Sequence, residues 1–154
     1  MTYKFHDAKI GKLDTCQITG RNDLELVIDL GHQPLCDSLL SKHELNMMEK
    51  PYPLRFFRSK SLGCGQLDFI VPSEDVYFPD YPYRPGITKE VQDHHEKRCD
   101  ETIKDLKILK NSLIVDIGSN DGTLLSFYKK KSMRVLGVEP TNTAKIAQKN
   151  GINT

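Results

Sequence analysis

Apolar and polar positions along this chain fall into three successive patterns. Residues 24–30 (LELVIDL) alternate apolar with acidic positions up to Gly31, which predicts a half-buried strand followed by a turn. Residues 54–59 and 66–71 are candidate partners across the turn at Gly63 and Gly65. Pro34, Pro51, Pro53, Pro72, Pro79, Pro82 and Pro85 exclude a long helix in this region. Residues 1–85 are therefore expected to form a small β-rich module of short strands and loops. The second pattern begins at Ile87, with Thr88 as N-cap. Ile87, Val91, Thr102, Ile103, Leu106 and Leu109 recur among charged neighbours at helical spacing, predicting one amphipathic linker helix over 86–110 that packs on the sheet that follows. The third pattern, from residue 111 to 154, reads strand, glycine turn, helix, strand. Residues 113–117 (LIVDI) are a continuous apolar run interrupted by Asp116, as in a parallel strand covered on both faces. Gly118, Asn120 and Gly122 form a loop, a helix opens near Thr123, and residues 134–138 (RVLGV) make a second strand ending at Glu139. The fold class expected is α/β.

Composition narrows the partners. A chain of 154 residues makes one domain or two small ones. Charged residues are 28% of it and formal net charge is +1, with both signs mixed, so neither a nucleic-acid nor a membrane-surface partner is indicated. Small neutral ligands fit better. Apolar runs stay short of the ~18 residues of a membrane span, and residues 1–10 (MTYKFHDAKI) lack the apolar block of a signal peptide, so a cytoplasmic location is expected. Cys16, Cys36, Cys64 and Cys99 are too sparse for a secreted disulfide scaffold and are expected as thiols.

The glycine turn carries the clearest chemistry. Glycine accepts backbone angles other residues resist, a missing side chain lets a ligand approach the main chain, and the helix after the loop points free amides into the same space. Glu139 stands 21 positions after Gly118, where an acid at the end of the second strand accepts hydrogen bonds from both ribose hydroxyls. A dinucleotide loop would read GxGxxG; this one is GxxxG with Asp121 inside it, and an acid there opposes a pyrophosphate. The combination favours an adenosine cofactor without phosphate, for which S-adenosylmethionine qualifies, Asp116 or Asp121 facing its cationic end; an NAD-type oxidoreductase is disfavoured. The bland alternative is a βαβ unit in which Gly118 and Gly122 only make a tight turn. His94 and His95 sit among charged neighbours and read as a solvated helix face, while Lys129, Lys130 and Lys131 suit the negative end of a helix dipole.

With these residues in view, the chain resembles the sugar C-methyltransferase family. The matching segments are LGHQPLCDSLL (30–40), YPL (52–54), CGQL (64–67), YPYRPGIT (81–88), VDIGSNDGTLL (115–125), VLGVEPT (135–141) and GINT (151–154). The resemblance implies a small N-terminal zinc-binding module (1–85), a linker helix (86–110) and the first βαβ part of a Rossmann-like S-adenosylmethionine-binding domain (111–154). It implies Asp116, Gly118, Asn120, Gly122 and Glu139 as cofactor residues, Tyr81 and Tyr83 as side chains reaching toward the substrate, and a nucleotide-linked keto-deoxysugar as acceptor. In such enzymes a base removes the proton beside the sugar ketone and the carbon so activated takes the methyl group. That base, a histidine with neighbouring acid and tyrosine residues, is expected beyond Thr154, since GINT is where a third strand should start; alone the chain is expected to be inactive. The family's zinc pattern is two CxxC knuckles. Here the first reads Cys16-Gln17-Ile18-Thr19. The second falls on Ser59 and Leu62 in one register, or on Ser61 and Cys64 in the other. Either way at least two ligands are missing, leaving Cys16 and Cys64 as a weak pair and zinc an unexpected occupant. The alternative to an enzyme is a binding or assembly module, or one half of a split methyltransferase whose other half is separately encoded.

Overall fold

The computed structural model describes residues 10–77 and 80–154; the expectations drawn on residues 1–9 and on Pro79 lie outside them. The protein is mixed α/β with several small sheets, arranged in two compact units that divide between Val76 and Tyr77.

The first unit is β-rich. Strand β2 (Leu24–Gln33) pairs antiparallel with β3 (Tyr52–Ser59), which pairs with β4 (Gly65–Leu67). A second, two-stranded antiparallel sheet joins β1 (Gly11–Lys12) to β5 (Phe69–Ile70), and helix α1 (Ser73–Val76) closes the unit. The expected pairing of 54–59 with 66–71 is thus split, its second half crossing to β1 at Phe69. Strand β2 also departs from expectation: it runs past Gly31, and its register slips between Asp29 and His32. Its apolar residues are about half exposed rather than packed, Leu26, Ile28 and Leu30 at 49–51%.

With so little apolar core, side chains of opposite charge clasp this unit. Arg55 meets buried Asp68 at 2.6 Å. Asp75 accepts bonds from Lys50, at 2.8 Å, and from the Tyr52 hydroxyl. These bonds hold the Asp75 carboxyl below its ordinary range and raise the Lys50 ammonium.

In the second unit, Pro85–Ile87 form one 3-10 turn leading into helix α2 (Lys89–Asp105). The helix stops short of residue 110 because Leu106 closes it and Lys107 turns left-handed, φ 51°. Leu106 and Leu109, expected on its apolar stripe, are consequently 70% and 76% exposed. The stripe that does pack centres on Cys99, which is fully buried against Phe127, Tyr128 and Met133. Strand β6 (Leu113–Ile117), helix α3 (Thr123–Lys130) and strand β7 (Arg134–Val138) form a parallel βαβ unit, Ile114 opposite Val135 and Asp116 opposite Gly137. Helix α4 (Thr143–Lys149) follows. The clusters around Cys99 and around Leu125, Ala147 and Ile152 both rest on Ile114 and Val135, so the helices cover one face of the pair. The other face, expected covered, is open: Leu113 and Val115 are each 49% exposed and Ile117 is 83% exposed. After α4 the chain returns beside β7, where the Gly137 amide donates to Asn153 O at 2.7 Å. None of the helices among the described residues is long and apolar enough to cross a membrane.

Candidate functional site

Parallel strands end at a shared carboxyl edge, and here the edge holds Gly118 after β6 and Glu139 after β7. The amides of Gly118 and Ser119 both donate to Val138 O, at 2.8 and 3.2 Å, so the glycine turn is fastened to the neighbouring strand end. Gly118 is left-handed, φ 82°, and a side chain there would project into open space, which leaves its main chain free for a ligand. Gly122 is left-handed too, φ 77°, but for another reason. A Cβ at Gly122 would stand 3.0 Å from Ala147 and Ile152, so its bareness lets α3 close on α4.

Glu139 is held at both ends of its carboxylate. One oxygen accepts the Asn120 amide at 2.9 Å and the other the Thr141 amide at 2.9 Å, each retaining a lone pair toward the cavity. That cavity measures about 460 Å³ and is lined by Glu139, Gly118 and Asn120 with Tyr77, Tyr81 and Tyr83. Tyr77 and Tyr81 lean together, ring centres 5.7 Å apart. Through Tyr83, Gly118 and Asn120 it adjoins a second cavity of about 290 Å³, whose wall includes Asp116, Ser119 and His95. Burial pushes the Asp116 carboxyl above its ordinary range; His95 opposes that rise, and Glu139 adds to it. Such a carboxylate gains from a cation placed beside it.

Asn120 and Asp121 serve mainly as straps. Asn120 takes the left-handed conformation at φ 49°, donates from Nδ2 to Tyr83 O at 3.0 Å, and accepts the Asp121 amide at 2.7 Å. Asp121 is buried; it accepts the Gly86 amide at 2.9 Å, the Thr123 amide at 3.1 Å and the Thr123 hydroxyl at 2.6 Å. Of the two acids expected to face a cofactor's positive charge, Asp121 has its carboxylate engaged by the helix start and Gly86, while Asp116 lines the cavity beside Gly118. Gly86 must be bare, since a Cβ would meet Thr123 and Asp121 side chains within 2.6–2.7 Å. The straps fix the segment that carries Tyr81 and Tyr83 at the rim of the glycine loop. His95 was missed by sequence reasoning. His94 is exposed as expected of a solvated face, whereas His95, one residue on, turns toward Asp116. Only the helix phase, set by buried Cys99 four residues later, could have signalled it.

The first unit contains the zinc-type knuckles. Cys16 is buried and Cys64 exposed, both free thiols, so the weak pair is not brought together as one buried site. The backbone favours one of the two registers. Gly20 donates to Cys16 O at 2.8 Å and Gly63 to Ser59 O at 2.8 Å, with φ 71° and 76°, so 16–20 and 59–63 are the same loop built twice. The four positions that correspond to knuckle ligands are then Cys16 and Ser59, both buried, and Thr19 and Leu62, both exposed. One thiol, two hydroxyls and a hydrocarbon do not suit zinc, which wants thiolate or imidazole donors. Among the described residues no group of three or more His, Cys, Asp or Glu is placed to hold a metal.

Residues 16–77 match a family model described as "Putative zinc binding domain". Over 143 residues, 92% of this chain, the sequence is 27% identical to the C-methyltransferase NovU of Streptomyces niveus. Both matches bear out the resemblance to the C-methyltransferases. The chain spans about a third (34%) of the length of that curated relative.

Proposed function

We propose that this chain forms the N-terminal part of an S-adenosylmethionine-dependent C-methyltransferase whose acceptor is a nucleotide-linked keto-deoxysugar. The observation that carries the reading is Glu139, clamped by the Asn120 and Thr141 amides at the end of β7 and facing the cavity beside Gly118. On this reading the βαβ unit is the start of a Rossmann-like domain, and Glu139 accepts the two ribose hydroxyls of the cofactor. Because Glu139 already occupies the Asn120 amide, the loop amide that would bind a pyrophosphate is taken by a negative charge, which argues against a dinucleotide. Gly118 lets the cofactor approach the main chain, and Asp116, raised by burial, meets its ammonium or sulfonium end. Gly122 and Asn120 shape the loop, while Tyr81 and Tyr83 bound the acceptor side. When bound, S-adenosylmethionine supplies an electrophilic methyl group. The base that readies the acceptor carbon is assigned to further residues, on the same polypeptide or separately encoded.

The similarity to a C-methyltransferase supports the methyl-transfer part of this reading. The open face bearing Leu113, Val115 and Ile117 supports the assembly variant, because further helices or a partner half would cover it. Equilibrium dialysis of the full chain against labelled S-adenosylmethionine and against NAD tests the proposal. Binding of the first, weakened about tenfold in Glu139→Ala through loss of charge-assisted hydrogen bonds, is expected. Tighter binding of NAD, or indifference to Glu139→Ala, overturns it.

A further inference from the structure

The duplicate loops of the first unit enclose a position where paired CxxC knuckles would hold an ion, and the side chains around it are bonded to one another. Ser59 is fully buried. Its hydroxyl donates to the Asp23 carboxylate, 3.0 and 3.2 Å from the two oxygens, and accepts the Leu62 amide at 3.3 Å. Asp23 also accepts the Ser61 amide at 2.8 Å, and its own carbonyl takes the Lys60 amide at 3.1 Å. Across the gap the neighbouring Thr19 hydroxyl and amide, then the Ile18 amide and the Ser59 side chain, hold the Cys16 thiol below its ordinary range against the effect of burial. Two amides aimed at the first side chain of a four-residue loop are what a knuckle offers a metal-bound sulfur; in the second loop only the Leu62 amide reaches Ser59, and the Ser61 amide goes to Asp23 instead.

We propose that Asp23 has taken the place of the metal: lying just after the first knuckle, it bridges Ser59 and Ser61 of the second with its carboxylate and takes the Lys60 amide on its carbonyl, and this hydrogen-bonded clasp closes the two knuckles so that the module folds without zinc. Asp23 is suited to the task. The Ser61 hydroxyl and amide, then Ser59 and the charge of Arg21, hold its carboxyl below the ordinary range. It lies outside both loops, three residues beyond Gly20, so the CxxC pattern gives no hint of it.

The test uses the full chain in three forms: wild type, Asp23→Asn, and Thr19→Cys/Ser59→Cys/Leu62→Cys, which places thiols at all four knuckle positions. Wild type purified with zinc present should hold no stoichiometric metal by elemental analysis, and a chelator should leave its urea midpoint unmoved. Asp23→Asn should lower that midpoint. The triple variant should bind one cobalt(II) or zinc ion with tetrahedral thiolate absorption, and adding Asp23→Asn to its metal-loaded form should no longer shift the midpoint. Stoichiometric zinc in wild type, unfolding by the chelator, or a midpoint indifferent to Asp23→Asn each overturns the proposal. The chelator and Asp23→Asn arms decide the matter even where the triple variant fails to fold.

Discussion

Asp116 and Asp121 stand five positions apart on one motif and face opposite tasks. Asp121, buried with three donors on its carboxylate, is a structural residue. Replacement by alanine strands the Gly86 and Thr123 amides and is expected to destabilise the second unit by about 1–3 kcal/mol, read from urea denaturation. Asp116 is the titrating one. Its folded carboxyl lies above the ordinary value, chiefly through burial, so the folded state holds more protons than the unfolded state between the ordinary pKa and the raised one. Stability should therefore fall as pH climbs through that window, and Asp116→Asn should remove the slope, as denaturation curves collected from acid to neutral pH will report. Asp23 has the opposite sign: its lowered carboxyl contributes stability above the ordinary value that is lost as pH falls through the folded one. These roles were only partly legible in sequence. The loop motif offers two acids, and what engages Asp121 comes from Gly86, 35 residues upstream, a contact that no local pattern encodes.

At the level of elements, strands β6 and β7 and the start of α3 coincide with the sequence expectation, because short apolar runs bounded by glycine leave few alternatives. Helix α2 was overextended. Its apparent stripe continued through Leu106 and Leu109 in spacing alone, and the left-handed Lys107 that breaks it is not a residue type that announces a stop. The two loop glycines separate experimentally. Gly122→Ala combines a left-handed backbone with a 3.0 Å approach to Ala147 and Ile152, whereas Gly118→Ala meets open space. The first should lower the thermal midpoint markedly. The second should forfeit only the roughly 1–2 kcal/mol of left-handed strain, yet impair cofactor binding more in relation to stability. Equal effects of the two on both measurements would contradict the division between a packing glycine and a ligand-facing one.

For the molecule as a whole, the consequences follow from what is left uncovered and what is clasped. Leu113, Val115 and Ile117 form an apolar row on the open face of a two-stranded parallel pair, a surface prone to association. Sedimentation of the chain by itself should show self-association that grows with concentration, reduced by Val115→Glu with Ile117→Lys; a monomer at all concentrations would mean that the row is harmless. The two units also differ in how they close. The second buries Leu125, Phe127 and Ile152, while the first relies on Arg55–Asp68, Lys50–Asp75 and the bonds around Asp23. If the proposed Asp23 clasp stands where an ion would sit, the first unit would be indifferent to metal scarcity, since nothing would have to be scavenged from its surroundings to close it. It also escapes oxidative collapse of its knuckles, because Cys16 has no second thiol within them to form a disulfide with. Its vulnerability moves instead to acid, where protonation of one side chain opens the clasp.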